Sequence, residues 1–125
     1  MSNGLWILAV IGLVFGAMFL FQQWLGRMAR AQEGRPAPTL GPFGEAEGKL
    51  VWFHSPSCGP CRAMHDDVVA LGDRVIEVDV SERPDIAQGY GIMATPTTVR
   101  VKEGVIAQVR PGRMRREELE AMLAL

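Results

Sequence analysis

The stretch Lys49–Cys61, KLVWFHSPSCGPC, decides the fold. Its first part, Lys49–His54, is a short apolar run and predicts a buried β-strand. The residues from Cys58 to Leu71 follow a helical pattern. One face of that helix is predicted to hold Ala63, Met64, Val68 and Leu71. A Cys-Gly-Pro-Cys motif therefore stands where a strand ends and a helix begins.

The chain after this motif continues to alternate between strand and helix patterns. The predicted strands are Arg74–Val80, Thr97–Lys102 and Val105–Arg110, and the predicted helices are Pro84–Gln88 and Arg115–Leu125. Alternating β-branched residues indicate strands, a first-turn proline indicates the start of a helix, and the amphipathic C-terminal segment indicates the last helix. The last two strands are joined through Glu103-Gly104, a hairpin signature, and the last helix presents Leu119, Met122 and Leu123 to a core.

The N-terminal part of the chain has a different composition, because residues 1–26 carry no charged side chain. The uncharged segment Leu5–Leu25 would span roughly 31 Å as a helix, close to the thickness of a hydrocarbon core. It predicts a transmembrane anchor over residues 1–30, with Gly12 and Gly16 as a possible homodimer contact. The alternative is a signal peptide cleaved at Ala29-Arg30-Ala31, although no Lys or Arg precedes the apolar segment.

The residues after the anchor predict its orientation and a linker. Arg27, Arg30 and Arg35 favour a cytoplasmic C-terminal side, with a periplasmic or other extracytoplasmic side as the alternative. Residues 31–48 are rich in Gly and Pro and predict an extended, semi-rigid linker. Residues 49–125 then form one small domain.

Composition excludes several classes of function. The chain has 125 residues and a formal net charge of -1, which argues against binding to nucleic acid. Its 2 cysteines are too few for a disulfide-stapled scaffold and too few alone for a structural zinc site.

Both cysteines lie in one CxxC motif, and that spacing carries the chemistry. A sulfur at a helix N-terminus is stabilised as the thiolate, which is the reactive form, so Cys58 is the predicted nucleophile. Cys61 lies one turn further and is the predicted resolving thiol, while Gly59 and Pro60 shape the first turn. This chemistry needs no bound cofactor and no metal. Two alternatives are an incidental cysteine pair and a soft-metal site built from Cys58, Cys61 and His65.

Together with Val78–Ile92, Ala94–Thr97, Gly104 and Gly112, this motif resembles the thioredoxin-like family from Lys49 to the C-terminus. The resemblance implies an α/β fold that lacks most of the family's first strand and helix. It implies a four-stranded mixed sheet flanked by helices, in the spatial order 75–80, 49–54, 97–102, 105–109. We expect linker residues to cover the exposed edge of strand 75–80.

The resemblance also implies roles for three residues outside the CxxC motif. Pro96 would be a cis proline facing the cysteines, Thr95 would pair with the substrate through its backbone, and Gly112 would leave room in that groove. The residues alone say only that Thr95-Pro96-Thr97 is a turn or edge position. The implied partners are protein substrates with disulfides and an external thiol or electron donor, in addition to the lipid bilayer.

Three positions depart from the family's pattern. Trp52 stands where a buried acidic residue is usual, Ser57 replaces a common tryptophan, and Asp66 replaces a common proline. The buried acid is the usual proton acceptor for the second cysteine, and His54 and Asp66 are the residues here that could replace it. Four arginines near the presumed groove are either a solvated face or a contact for anionic lipid or an acidic partner: Arg110, Arg113, Arg115 and Arg116.

The sequence thus predicts a membrane-tethered thiol–disulfide oxidoreductase that reduces protein disulfides and serves cell redox homeostasis. One alternative is a periplasm-facing reductant for the maturation of cytochromes or copper proteins. Less favoured alternatives are a carrier of soft metals bound by Cys and His, and a docking module without catalysis.

Overall fold

The structure is a computed structural model that describes residues 2–125, apart from the side chain of residue 29. Residue 1 and the Ala29 side chain of the alternative cleavage site lie outside this description. The helices and strands are α1 Ser2–Arg30, β1 Leu50–His54, α2 Gly59–Leu71, β2 Val75–Asp79, α3 Pro84–Gly89, β3 Thr97–Lys102, β4 Val105–Pro111 and α4 Arg116–Leu123. From β1 onward, these elements match the predicted order β-α-β-α-β-β-α.

The four strands form one mixed sheet in the order β2-β1-β3-β4, as predicted. β1 pairs with β2 in parallel, with Leu50 opposite Val75, and β3 runs antiparallel to both β1 and β4. The β3–β4 turn has positive φ at both central residues, 55° at Glu103 and 75° at Gly104. That is the backbone of a two-residue hairpin turn, so the hairpin prediction is confirmed.

Each face of the sheet is covered by a separate set of apolar side chains, because successive residues of a strand point to opposite faces. Val51 and Phe53 of β1 pack with Tyr90 beside α3, and Leu50 and Trp52 pack with α2 and α4. The buried residues of α2 are Cys61, Met64, Val68 and Leu71. Ala63 is exposed, against the prediction, because it lies about 100° around the helix from Met64 and off the face that the other three share.

The linker does not cover the edge that we expected. Instead of pairing with β2, it runs along β4 at the opposite edge of the sheet. Gly34 N–H donates to Ile106 O at 2.7 Å, Ile106 N–H donates to Arg35 O at 2.9 Å, and Ala37 N–H donates to Gly104 O at 2.9 Å. In the described part of the chain no strand pairs with the outer edge of β2. The linker supplies hydrogen-bond partners for backbone groups at the free edge of β4.

The linker also contributes to the core and is not an extended spacer. Leu40 and Ala46 are buried among the side chains on the α3 face of the sheet. The Tyr90 hydroxyl donates to Pro38 O at 2.8 Å, across 52 residues of sequence. Apolar side chains in a Pro-rich segment are better buried than solvated, which is why this segment folds back onto the domain.

The N-terminal helix is long and apolar. Its segment Ser2–Met28 contains an 18-residue window with a mean hydropathy of 2.5 and no buried residues, and the segment is long enough to cross a bilayer. Such a helix occurs in membrane anchors and in signal sequences. Its C-terminal end packs against β4 and joins the linker directly.

Candidate active site

The two cysteines form a disulfide at the N-terminus of α2. Cys58 is the N-cap residue, with extended backbone angles, and its Sγ accepts a hydrogen bond from Cys61 N–H at 3.1 Å. Their Cα atoms lie 5.2 Å apart, within the usual range for a disulfide. The first turn of the helix leaves backbone N–H groups without intrahelical acceptors, and one of them points at this sulfur. After reduction, the same arrangement favours negative charge on Cys58 Sγ.

The two sulfur-bearing residues differ in access to solvent. Cys58 is 9% exposed and Cys61 is 3% exposed, and both pack in the apolar cluster with Met64 and Met114. Gly59 and Pro60, between them, are exposed. Both cysteines are thus buried, and Cys58 is the more accessible of the pair. A molecule approaching from solvent therefore reaches Cys58 before Cys61.

The loop before β3 adjoins the CxxC motif. The Thr95–Pro96 peptide bond is cis, as the resemblance implies. The Ser55 hydroxyl lies 3.4 Å from the Thr95 hydroxyl, and Cys58 N–H donates to Ser55 O at 3.2 Å. Ser55 therefore joins this loop to the residues that carry the cysteines. The sequence did not single out Ser55, since a lone serine between a strand and a helix carries no distinctive pattern.

Gly112 closes the other side of the same loop. Its N–H donates to Pro96 O at 2.8 Å, and its φ of 91° lies in the region that favours glycine. The structure thus brings Thr95, Pro96 and Gly112 together. Their roles toward a substrate remain predictions.

Trp52 and two histidines line a cleft beside Cys61. Trp52 is 1% exposed, and its ring stacks on that of His54, with centroids 4.6 Å apart and planes 17° apart. The cleft has a volume of about 240 Å³, and Cys61, Arg62 and His65 also contribute to its walls. Trp52 Nε1 is buried and has no hydrogen-bond partner among the described residues. The place of the family's usual acid is thus taken by an apolar ring.

Asp66 does not replace that acid. Its side chain is fully exposed and points into solvent. His54, by contrast, is half-buried and shares the cleft with Cys61. Of the two candidates from the sequence, only His54 lies on the inner side of the site.

Asp79 is a further charged residue near the site. It is the register partner of His54, because β1 and β2 run in parallel and end at the same edge. The pKa of Asp79 is lowered, first by the Ser81 hydroxyl, which donates to Oδ1 at 2.6 Å, and also by the charge of His54. The sequence alone did not connect the two residues, although polar residues that end adjacent parallel strands are brought together by that geometry.

The arginines near the groove are largely paired within the chain. Glu118 accepts from Arg110 at 3.0 Å and from Arg115 at 3.1 Å, and Arg116 contacts Asp67 at 3.2 Å. The hydrogen bonds from Arg115, followed by the one from Arg110, lower the pKa of the Glu118 carboxyl. Arg113 is exposed. These ion pairs favour the interpretation of a solvated face, since most of the arginine charges are compensated by carboxylates of the same chain.

A soft-metal site is not formed in the oxidised protein. Both sulfurs of the proposed ligand set are joined to each other, and the His65 side chain is 56% exposed, 4.0 Å from Asp66 and from Glu77. Within residues 2–125 no group of three or more His, Cys, Asp or Glu side chains is arranged to hold a metal ion.

Comparison with known proteins places this architecture in a family. The sequence profile of the thioredoxin-like domain matches residues 44–125. The chain is 40% identical over 60 residues to Thioredoxin-2 of Pyricularia oryzae, covering 44% of this chain and 35% of that protein. It is 30% identical over 80 residues to thioredoxin of Bacillus subtilis, covering 59% of this chain and 77% of that protein.

A solved structure shows the same fold. Fasciola hepatica thioredoxin superposes with a TM-score of 0.56 and 29% identity, over 63% of this chain and 82% of that one. The matched region spans only about a third of Thioredoxin-2 from Pyricularia oryzae and 45% of Thioredoxin H2 from Arabidopsis thaliana. A domain profile that covers the sheet, the disulfide and the cis-proline loop is nevertheless sufficient to decide the family. The chain belongs to the thioredoxin-like domain family.

Proposed function

We propose that this protein is a thiol–disulfide oxidoreductase that reduces disulfides in other proteins. The observation that carries the proposal is the Cys58–Cys61 disulfide at the N-terminus of α2, next to the cis Thr95–Pro96 loop. Sulfur at a helix N-terminus, partly accessible and within bonding distance of a second cysteine, is the arrangement that thiol–disulfide exchange requires.

In the proposed reaction, the reduced Cys58 thiolate attacks one sulfur of a substrate disulfide. A mixed disulfide forms between Cys58 and the substrate, and the other substrate sulfur leaves as a thiol. Cys61 then attacks Cys58 Sγ, which releases the second substrate thiol and restores the Cys58–Cys61 disulfide. An external thiol or electron donor returns the pair to the dithiol. The two cysteines themselves carry the electrons, so the cycle needs no bound cofactor.

The cis-proline loop supports a place for the substrate chain. Thr95 is half-buried and directly precedes Pro96, and Ser55 links its hydroxyl to the residues that carry the disulfide. Gly112, which has no heavy atom within 4 Å of the position a Cβ would take, leaves space beside it. We assign Thr95, Pro96 and Gly112 to substrate binding on this basis.

The test is reduction of insulin disulfides by the purified full chain in detergent, with dithiothreitol as the electron donor. Cys58→Ser is expected to lower the rate to that of dithiothreitol alone. Cys61→Ser, reduced beforehand and mixed with insulin after dithiothreitol is removed, is expected to accumulate a mixed disulfide. Ser57→Ala is the matched control, because Ser57 is exposed and adjacent to the motif, and it should keep the wild-type rate. Wild-type protein that does not accelerate the reaction would disprove the proposal.

We further propose that α1 is retained as a membrane anchor, with the domain on the cytoplasmic side. The apolar length of Ser2–Met28 and the absence of buried residues in it support the anchor. Arg27 and Arg30 in the last turn of α1 support the orientation, because positive charge is retained on the cytoplasmic side. The cleft between α1 and the domain, which includes Leu25, Met93 and Ala94, then lies near the bilayer surface.

Labelling of cysteines with a membrane-impermeant maleimide tests both statements, since the chain has only 2 cysteines. After treatment of intact cells with a permeant reductant, we expect labelling only when the cells are permeabilised, and the protein should stay in the membrane pellet after alkaline extraction. Labelling in intact cells would instead favour the periplasm-facing reductant. Release by alkali would disprove the anchor.

A further inference from the structure

The second half of the proposed reaction requires Cys61 to lose a proton in a site closed to bulk solvent. Cys61 is 3% exposed and sits in an apolar cluster with Trp52, Met64 and Met114. The N-terminal N–H groups of α2 face Cys58, the N-cap residue, and the Cys61 N–H itself donates to Cys58 Sγ. A buried thiol without a proton acceptor stays protonated, and the thiol is a poor nucleophile.

The cleft that Trp52 and the histidines line opens beside Cys61. Its volume of about 240 Å³ is several times that of a water molecule, and its walls carry polar groups that bind water. Of the residues that line it, two have side chains that accept a proton near neutral pH, His54 and His65. Any proton that leaves Cys61 through this cleft meets one of them.

Burial and packing favour His54 over His65. His54 is half-buried and held by stacking on the buried Trp52 at 4.6 Å, whereas the His65 side chain is 56% exposed and its ring lies 6.3 Å from Trp52. His54 is also the register partner of Asp79, and its charge is among the causes that lower the pKa of that carboxyl. His65 lies 4.0 Å from Asp66 and from Glu77, so neighbouring carboxylates do not distinguish the two histidines.

We propose, on the basis of the proposed function, that His54 accepts the proton of Cys61, through water in this cleft, when Cys61 resolves the mixed disulfide. The Cys61 S–H bond breaks and its proton passes to the imidazole. Cys61 Sγ forms a bond to Cys58 Sγ as the bond from Cys58 to the substrate sulfur breaks. The substrate sulfur leaves with the electron pair and takes up a proton from solvent or from the imidazolium. The cysteine pair is oxidised by two electrons and the substrate disulfide is reduced by two.

The charges around His54 are compatible with this role. Asp79 faces it from β2, and Arg62 and His65 face the same cleft from α2. Glu77 of β2 lies next to His65. Arg62 is partly engaged, because its guanidinium donates to Pro56 O at 3.0 Å.

A two-phase reaction with an aromatic disulfide, 5,5′-dithiobis(2-nitrobenzoate), separates the two steps. In the reduced full chain, attack by Cys58 releases the first nitrothiobenzoate, and resolution by Cys61 releases the second. The two phases are followed by stopped-flow absorbance from about pH 5 to about pH 9, a range that brackets the titration of histidine. We expect His54→Asn to slow the second phase about 100-fold or more at neutral pH, the usual effect of losing a general base. We also expect it to remove the inflection from the pH profile of that phase.

The first phase should stay within about twofold of wild type in this variant, since it depends on the thiolate form of Cys58. His65→Asn is the matched control on the same cleft, and we expect it to leave both phases unchanged. His54→Ala provides a second readout: added imidazole should restore its second phase, which would not follow if His54 only maintained the fold.

An unchanged second phase in His54→Asn would overturn the proposal, as would an equal loss in His65→Asn or in the first phase. Those results leave the proposed function intact, because wild-type protein still releases both thiolates. Wild-type protein that releases only one would instead overturn the proposed function, and this inference with it.

Discussion

Gly112 illustrates how the site depends on the backbone of single residues. Its φ of 91° orients its N–H toward Pro96 O, which ties the end of β4 to the cis-proline loop. A residue with a Cβ adopts this conformation only with strain, even though no atom lies within 4 Å of the position a Cβ would occupy. Within the folded domain itself, the requirement for glycine here is therefore one of conformation, because no other described part of the protein crowds this position.

Gly112→Ala is expected to lower the free energy of unfolding by about 1–2 kcal/mol through this strain. Gly59→Ala is the control, because Gly59 lies in the first turn of α2 at a negative φ and an added Cβ would likewise meet no atom within 4 Å. It should leave stability unchanged or raise it by up to about 1 kcal/mol. Urea unfolding of the oxidised proteins measures both, and equal losses would contradict the argument.

Glu47 shows how one side chain stabilises a whole element, the β3–β4 hairpin. Its carboxylate accepts the turn N–H groups of Glu103 at 2.6 Å and Gly104 at 3.0 Å. These two bonds, the one from Glu103 first, lower the pKa of Glu47 below its ordinary value of 4.5. The hairpin is thereby tied to the linker across 56 residues of sequence.

The sign of the pH effect follows from this direction. A lowered pKa in the folded state means that the carboxylate stabilises the fold above the ordinary value of 4.5 and that this stabilisation is lost as the pH falls through the folded value. Glu47→Gln should therefore lower the thermal midpoint at neutral pH, with a difference from wild type that shrinks toward about pH 3. Glu45→Gln, whose carboxylate makes no hydrogen bond within the described residues, should show no such pH dependence. A pH-independent effect of Glu47→Gln would contradict the assignment.

At the scale of the whole molecule, the domain includes part of the linker. Leu40 is 2% exposed and packs on the α3 face of the sheet, and residues 34–37 bond to the outer edge of β4. The segment between α1 and β1 therefore holds the end of the N-terminal helix against the domain. A freely extended spacer would allow the two parts to move apart.

Leu40→Ala should lower the free energy of unfolding by about 2–4 kcal/mol, the usual range for a buried leucine. Phe43→Ala is the matched control in the same segment, since Phe43 is 38% exposed, and its effect should stay below about 1 kcal/mol. Denaturant unfolding of the full chain in detergent gives both values. Equally small effects would indicate that the segment is a spacer after all.

Local sequence patterns determined most of the fold and the position of the cysteines. Period-two alternation, a hydrophobic run before Cys58 and a helical pattern after it act over a few residues, so they are readable without the tertiary structure. The strand order followed from the resemblance, and the Glu103-Gly104 turn followed from its residues. Where the pattern was ambiguous by one position, as at Ala63, only the helix orientation against the sheet decided which side chain is buried.

Contacts between residues distant in sequence were decided by the tertiary structure alone. Both edges of the sheet offer unpaired backbone groups, yet the linker pairs with β4 and not with β2. The packing of Leu40 and Ala46 in the core selects between the two edges. The cleft shared by His54 and Cys61 arises from the packing of α2 on the sheet. The pairing of His54 with Asp79 arises from strand register. Register is set by the burial of entire sheet faces, a property that no short stretch of residues contains.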